Sequence, residues 1–134
     1  MAIVKTEILS AIQARLVGDA TLIAIVPVAN IGNRLPQDTS YPHLRYQIDG
    51  SNLGVKSETA YDITLQIDFW SDYKGSKEVL QIEDALENAL DGTPLTIASA
   101  DCFGTSFESF DSLLEPDGEI YRGTAVFQLL YGAL

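Results

Sequence analysis

Residues 59–69, TAYDITLQIDF, alternate apolar and polar side chains along their whole length. Successive side chains of a β-strand point to opposite faces, so a period of two predicts a strand with one buried face and one open face. The buried face would carry Tyr61, Ile63, Leu65, Ile67 and Phe69. The open face would carry Asp62, Thr64, Gln66 and Asp68. We therefore expect a long, half-buried strand over these residues.

The residues before this strand predict its hairpin partner. Leu44, Tyr46 and Ile48 alternate with polar residues, which indicates a strand over 43–48 that ends at Asp49-Gly50. The polar, glycine-containing run 50–58 then joins the two strands as a long arm. Further upstream, residues 31–35 could form a short strand, followed by a loop bracketed by Pro36 and Pro42.

Two segments have the apolar spacing of amphipathic helices. The clearer one begins after Ser76, a plausible N-cap, and closes at Asp91-Gly92 and Pro94, with a stripe of Val79, Ile82, Leu86 and Leu90. The other opens the chain and stops at Gly18, with a stripe of Val4, Ile8, Ile12 and Leu16. Asp19 could cap a second, short helical turn that must end before Pro27.

A second hairpin follows the later helix. Residues 102–109 alternate, a Pro116-Asp117-Gly118 turn follows, and residues 119–131 form a last strand that is apolar on both faces. That strand is either central in the sheet or covered by a partner. The order of elements predicts a single α+β domain over residues 1–134, with a mainly antiparallel sheet of about four strands under one layer of two main helices.

Composition excludes several classes of function. Eight Lys and Arg residues oppose 19 Asp and Glu residues in 134, a net charge of −11 that repels nucleic-acid backbones. All of this excess lies between Glu78 and Tyr121, where eleven acidic residues meet no basic one. No stretch is apolar for the roughly 20 residues of a membrane span, so we expect neither a signal peptide nor a membrane anchor.

The residues that could perform catalysis are few. Cys102 is the single cysteine and His43 the single histidine, so they are the only candidates for a thiol and imidazole pair. A Ser-His-Asp triad would also have to use His43, and the sequence has no Gly-x-Ser-x-Gly elbow to hold its serine. A cysteine packed in a strand explains Cys102 better. Asp62 and Asp68 lie about 20 Å apart along an extended strand, too far for paired catalytic carboxylates, and are interpreted as a solvated strand face. We predict no enzyme, no metal site and no cofactor.

Other side chains are candidates for contact with proteins. Arg34 belongs to a set of basic residues in the first half for which solvated charge is the favoured explanation, and the alternative is that they meet the acidic block of a neighbouring copy. Trp70 and Tyr73 directly follow the long strand, where they could cover the edge of the core or anchor an interface.

Several of these patterns, taken in order, resemble the phage tail-completion proteins, also called tail terminators or head-tail joining proteins. The runs that carry the resemblance are 30–36 (NIGNRLP), 41–44 (YPHL), 63–71 (ITLQIDFWS), 85–90 (ALENAL) with Pro94-Leu95, and the 115–118 (EPDG) turn with the strand to Tyr131. Together they cover most of the chain.

The resemblance implies a structural protein of the virion, assembled in the host cytoplasm, without catalysis. Copies would form a ring, usually of six, that ends the tail tube and docks to the head connector. The implied partners are therefore other copies of the chain, the tail-tube protein and head connector proteins, with no specific nucleic-acid binding and no membrane.

A ring gives further residues possible roles. Asn52, Leu53 and Val55 of the 50–58 arm could order against the tube or a neighbouring copy. Glu108 and Asp111 could line the opening, where their charge would keep DNA from adhering. A small binding module that recognises a basic protein through the acidic block remains the alternative.

Overall fold

Five strands form one sheet in a computed structural model, which describes residues 5–52 and 60–133. The strands are β1 (Ile31–Gly32), β2 (His43–Asn52), β3 (Ala60–Ser71), β4 (Ala100–Leu114) and β5 (Tyr121–Ala133). The helices are α1 (Lys5–Val17), α2 (Ala20–Ile23) and α3 (Lys77–Leu90), with a 3-10 turn over Val28–Asn30. The order across the sheet is β1-β2-β3-β5-β4. The predicted α+β class is therefore confirmed.

Strand β3 lies at the centre of the sheet and separates its two faces. Ile63, Leu65 and Ile67 are fully buried beneath the helices, whereas Thr64 and Gln66 point to the other face and are half-buried. We call this second face the open face. The alternation in residues 59–69 thus predicted both the strand and its orientation.

The helices cover the opposite face and are fastened to each other by polar contacts as well as by the core. The Arg15 guanidinium of α1 donates hydrogen bonds to the carbonyls of Ala89 (3.0 Å), Thr93 (3.2 Å) and Pro94 (2.9 Å), at the end of α3. A cation at this position satisfies carbonyls that a helix leaves without partners and complements the negative end of its dipole. Arg15 therefore fixes α1 against the end of α3. Among the described residues, no helix is long and apolar enough to cross a bilayer.

The sheet has one strand more than the four expected, and one of its pairs is parallel. The short strand expected at 31–35 is confined to Ile31 and Gly32, which pair in parallel with Leu44 and Arg45. The chain then crosses over through residues 33–42 before β2 begins, and Asn30 holds this loop through hydrogen bonds from its amide to Ser40 and Pro42.

The predicted end of strand β2 was wrong. Strand β2 continues through Asp49-Gly50 to Asn52, because the extended β3 offers ladder partners to Gly50, Ser51 and Asn52. Asn52 therefore ends a strand instead of lying in a free arm. Val4, Leu53 and Val55 lie outside the described residues.

The simple alternation expected in residues 102–109 is also wrong. Strand β4 has irregularities in register between Cys102 and Gly104 and between Phe107 and Ser109, which leave Phe103 and Glu108 as extra residues opposite β5. As a result Phe103 is 70% exposed although Thr105 is buried. Strand β5 lies between β3 and β4, so the first expected alternative, a position inside the sheet, is confirmed, and Leu130 on its open face is 37% exposed.

The helix ends agree only in part with their expected caps. Helix α3 ends at Leu90 with Asp91 as its C-cap, and Gly92 follows with a φ of 72°, a left-handed conformation that glycine adopts without steric cost. The Asp19 and Ser76 side chains, in contrast, make no capping hydrogen bond to the described residues. The backbone carbonyl of Ser76 instead accepts from the Leu80 amide at 3.0 Å.

A glycine at position 123 of β5 allows an aromatic ring to pack against the backbone. A Cβ atom there would lie 2.6 Å from Cζ of Phe69, whose ring stacks on Phe110 at 6.0 Å. The Gly123→Ala substitution should therefore lower the free energy of unfolding by about 1–3 kcal/mol, since an inserted methyl forces buried rings to move.

Gly104→Ala on the neighbouring strand is the matched control, because nothing lies within 4 Å of the added methyl. Its stability should stay within about 0.5 kcal/mol of the wild type in urea unfolding. Equal effects of the two substitutions would contradict the packing described for Phe69.

Candidate interaction surface

Three rings form a row on the open face, where β2 begins and β3 ends. Tyr41 stacks on His43 with centroids 4.9 Å apart, and His43 lies 5.0 Å from Trp70. The sheet produces this arrangement because His43 of β2 pairs directly with Trp70 of β3. We call Tyr41, His43 and Trp70 the aromatic row.

Two arginines lie over Trp70. The guanidinium carbons of Arg45 and Arg122 are each 5.6 Å from the centre of the Trp70 ring. Arg122 is the β5 partner of Trp70 in the ladder, and Arg45 lies two residues after His43 on β2. Cations at this distance are attracted to the electron-rich face of the indole, most strongly where water is excluded.

The arginines are held by a buried carboxylate. Asp68 is only 1% exposed, and its oxygens lie 3.3 Å from Arg122 and 3.8 Å from Arg45. Thr124 donates a hydrogen bond to it at 2.8 Å, and the Gln66 amide donates another at 3.2 Å. Burying a carboxylate without partners would be very costly, and these four groups supply the opposite charge and the hydrogen bonds that compensate the burial of Asp68.

His43 is uncharged in this setting. Burial lowers the pKa of its imidazole below the ordinary 6.5, the Arg45 charge adds to this effect, and a hydrogen bond with the Ser40 carbonyl opposes it. At neutral pH the ring therefore stacks as a neutral aromatic group.

Three shallow cavities surround the aromatic row. The first, of about 390 Å³, is lined by Asn33, Arg34, Leu35, Pro36, His43, Arg45 and Trp70. The second, of about 630 Å³, includes Tyr41 and Tyr73, and the third, of about 300 Å³, lies between Trp70 and the β4–β5 turn. We call the first one the arginine cavity. Open depressions of this kind, rich in Trp, Tyr and Arg, are typical of protein-binding surfaces.

The structure therefore brings together three of the residues that sequence reasoning selected. Arg34 and Trp70 line the same cavity, and Tyr73 lies in the adjacent one. Glu108 and Asp111 lie on β4 at the far side of the open face, where Glu108 accepts a hydrogen bond from the Gln128 amide. The backbone of Asn52 ends β2, and Leu53 and Val55 are outside the described residues.

Sequence reasoning missed the network that organises this surface. Asp68 was interpreted as part of a solvated strand face, which is wrong, because it is buried beneath two arginines from neighbouring strands. Arg122 and Tyr41 were not selected as interface residues, and Arg45 was considered only as one of the dispersed basic residues that could meet the acidic block of a neighbouring copy. The strand alternation places Asp68 on the open face, but only the pairing register places both arginines beside it.

The two residues considered for nucleophilic chemistry are far apart. Cys102 of β4 pairs with Tyr131 of β5, which in turn pairs with Tyr61 of β3. His43 of β2 pairs with Trp70, near the other end of β3. Nine residues of β3 separate Tyr61 from Trp70, which is roughly 30 Å at 3.3 Å per residue. Cys102 instead contacts the Gly104 carbonyl at 3.7 Å and the Thr105 hydroxyl at 3.8 Å.

A cluster of three carboxylates lies on α3. Glu83, Asp84 and Glu87 have carboxylate oxygens within 4.8 Å of one another, and Glu83 is only 6% exposed. Burial, followed by hydrogen bonds and repulsion from Glu87 and Asp84, raises the pKa of Glu83 from an ordinary 4.5 to about 8. Protonation of Glu83 at neutral pH relieves the repulsion within the cluster.

The fold and the surface thus define a small α+β domain whose open sheet face is suited to bind other proteins. Residues 10–132 match the family described as "Tail completion protein gp17", so the chain belongs to this family of phage tail completion proteins. The family consists of structural tail proteins, which makes the chain a structural component of tail assembly and places it in the virion tail. The resemblance noted in the sequence is confirmed.

A solved structure has the same fold. A chain of the "Virion of native gene transfer agent (GTA) particle" superposes with a TM-score of 0.86 at 17% identity, covering 99% of this chain and 100% of that one. At this identity the likeness concerns the fold alone. No curated protein matches the chain.

Replacing Asp68 tests the network on the open face. Asp68→Asn should lower the free energy of unfolding by about 2–3 kcal/mol, because the amide cannot compensate two guanidinium groups whose partner it replaces. Asp111→Asn, an exposed carboxylate on the same face, should change it by less than about 0.5 kcal/mol. A fully stable Asp68→Asn variant in denaturant titrations would show that the network contributes no stability.

The raised pKa of Glu83 predicts a pH dependence of stability. The folded state holds this proton more tightly than the unfolded state, so its contribution is complete below pH 4.5 and is lost as the pH rises to about 8. The neutral Glu83→Gln variant lacks this dependence. The difference in free energy of unfolding between the variant and the wild type should therefore shift by about 1–3 kcal/mol in favour of the variant as the pH rises from 5 to 9. Urea unfolding at several pH values measures this difference, with the exposed Glu119→Gln as control. A constant difference would mean that Glu83 titrates normally.

Proposed function

We propose that copies of this chain form a ring that ends the tail tube and joins it to the head connector. Membership of the tail completion family carries the proposal, since completing a tail requires a subunit that contacts the tube on one side and the next component on the other. The partners are then other copies of the chain, the tail-tube protein and head connector proteins.

The aromatic row and its arginines support this role as the main contact surface. Trp, Tyr and Arg dominate the energy of protein interfaces because they bury large areas while retaining polar contacts. Here Trp70 is already oriented by Arg45 and Arg122, so little side-chain freedom is lost on binding. Arg34 and Tyr73 extend the same surface to either side.

Glu108 and Asp111 support a passage for DNA through the ring. Both belong to the acidic strand β4 and share the open face with Asp68 and Thr124. If the open face lines the opening, their charge repels the DNA backbone and reduces adhesion during passage. Leu53 and Val55 are proposed to contact the tube or a neighbouring copy.

The acidic block also supports a second candidate function. A module that binds one basic protein would use the eleven acidic residues between Glu78 and Tyr121 and would need no ring. Such a module would remain monomeric or dimeric and would be indifferent to the tail-tube protein.

The native mass of the purified chain distinguishes the two candidates. Light scattering behind a sizing column should give a several-fold multiple of 14.6 kDa, either alone at high concentration or on addition of tail-tube protein. Trp70→Ala should weaken this association about tenfold or more, because the arginines lose the ring that orients them.

Leu80→Ala is the matched control, since Leu80 is an exposed apolar residue on the helical side. It should leave the association unchanged. A wild-type chain that stays small under every condition would support the binding module instead.

A further inference from the structure

We infer that neighbouring copies meet head to tail, with Asp111 and Leu113 of β4 in one copy lying against the arginine cavity of the next. This inference rests on the proposed ring, identifies the two surfaces that would close it and assigns Asp111 to the contact between copies, which leaves Glu108 as the carboxylate that faces the opening. Charge, the position of the two sheet edges and the height of the residues along the strands support this contact.

The two edges of the sheet differ in charge. Strand β4 forms one edge and carries Asp101, Glu108 and Asp111 without a basic residue. The arginine cavity lies at the other edge, beside β1 and β2, and is lined by Arg34 and Arg45 without an acidic residue. A second copy of this chain therefore carries a surface complementary to the cavity.

Both the arginine cavity and strand β4 have exposed side chains that can contact a further partner. The Arg45 side chain is 46% exposed and lies at 3.8 Å from Asp68, so part of its guanidinium faces solvent. Arg34 and Asp111 are exposed, and neither forms an ion pair with any residue of 5–52 or 60–133. Leu113, two residues after Asp111, is 50% exposed.

The ladder places complementary residues at the same height. Arg45, Asp68, Thr124 and Asp111 form one row across the sheet, and His43, Trp70, Arg122 and Leu113 form the next equivalent row on the same face. Rotation about a ring axis does not move a residue along that axis. With strands running along the axis, Asp111 of one copy therefore lies level with Arg45 of the next, and Leu113 lies level with Trp70.

The alternative contact, in which each edge meets itself, is disfavoured by charge. Two β4 strands paired about a twofold axis would bring like carboxylates together, and two arginine cavities would bring like guanidinium groups together. A head-to-tail contact avoids both arrangements and closes into a ring when the rotation permits.

Disulfide trapping tests the pairing. In a Cys102→Ser background, Arg34→Cys combined with Asp111→Cys should give a ladder of covalent multimers after mild oxidation. Each single-cysteine variant should give none, because a head-to-tail contact places different residues opposite each other. A covalent dimer of the Asp111→Cys variant alone, or no ladder from the double variant, would overturn the inference.

Charge reversal provides a second measurement that does not depend on cysteines. Asp111→Lys should weaken assembly about tenfold or more. Adding Arg34→Glu to the same chain should restore it, since the two exchanged side chains again bring opposite charges together at every contact between copies. The restored contact should weaken with salt as the original does. Asp101→Lys is the matched control, because Asp101 lies at the other end of β4, opposite Gly132.

The outcomes separate this contact from the proposed function. A wild-type ring that is unaffected by Asp111→Lys would overturn the contact and leave the ring in place. A chain that never gains mass, alone or with tail-tube protein, would overturn both. Loss of assembly with Asp111→Lys, recovery with Arg34→Glu and no effect of Asp101→Lys would establish the contact.

Discussion

The buried carboxylate of Asp68 is the constraint on which the open face depends. It is buried, so it needs compensating charge and hydrogen bonds, and it obtains them from Arg45 on β2 and from Arg122 and Thr124 on β5. One side chain thereby connects three strands. The two guanidinium groups that it holds also lie over Trp70. The contacts that compensate the buried carboxylate therefore also position the side chains of the interaction surface.

The same strand also determines the core. Odd-numbered residues of β3 pack beneath the helices, and Asp68 and Trp70 belong to the even-numbered set on the other side. A slip of one residue would bury the carboxylate among aliphatic side chains and expose Ile67. The position of the network and the position of the core are therefore fixed together by one register.

Local patterns were sufficient to predict the elements but not their relations. The period of two in β3 and the apolar stripe of α3 were readable because each reports a single buried face. The bulges at Phe103 and Glu108 left no comparable pattern, since an extra residue is defined only against its partner strand. For the same reason Trp70 and Arg34 could be proposed singly, whereas the pairing of Asp68 with Arg45 and Arg122 required the register.

The two bulges of β4 also bear on how a free subunit survives before assembly. A long, regular edge strand is a template on which other chains can add strands without limit, and bulges interrupt that template by displacing its hydrogen-bonding groups. Each bulge lies close to a carboxylate, Asp101 near the first and Glu108 within the second. The edge is thus unsuited to the indiscriminate growth that leads to fibres. The interrupted edge therefore disfavours uncontrolled strand addition while side chains such as Asp111 stay exposed.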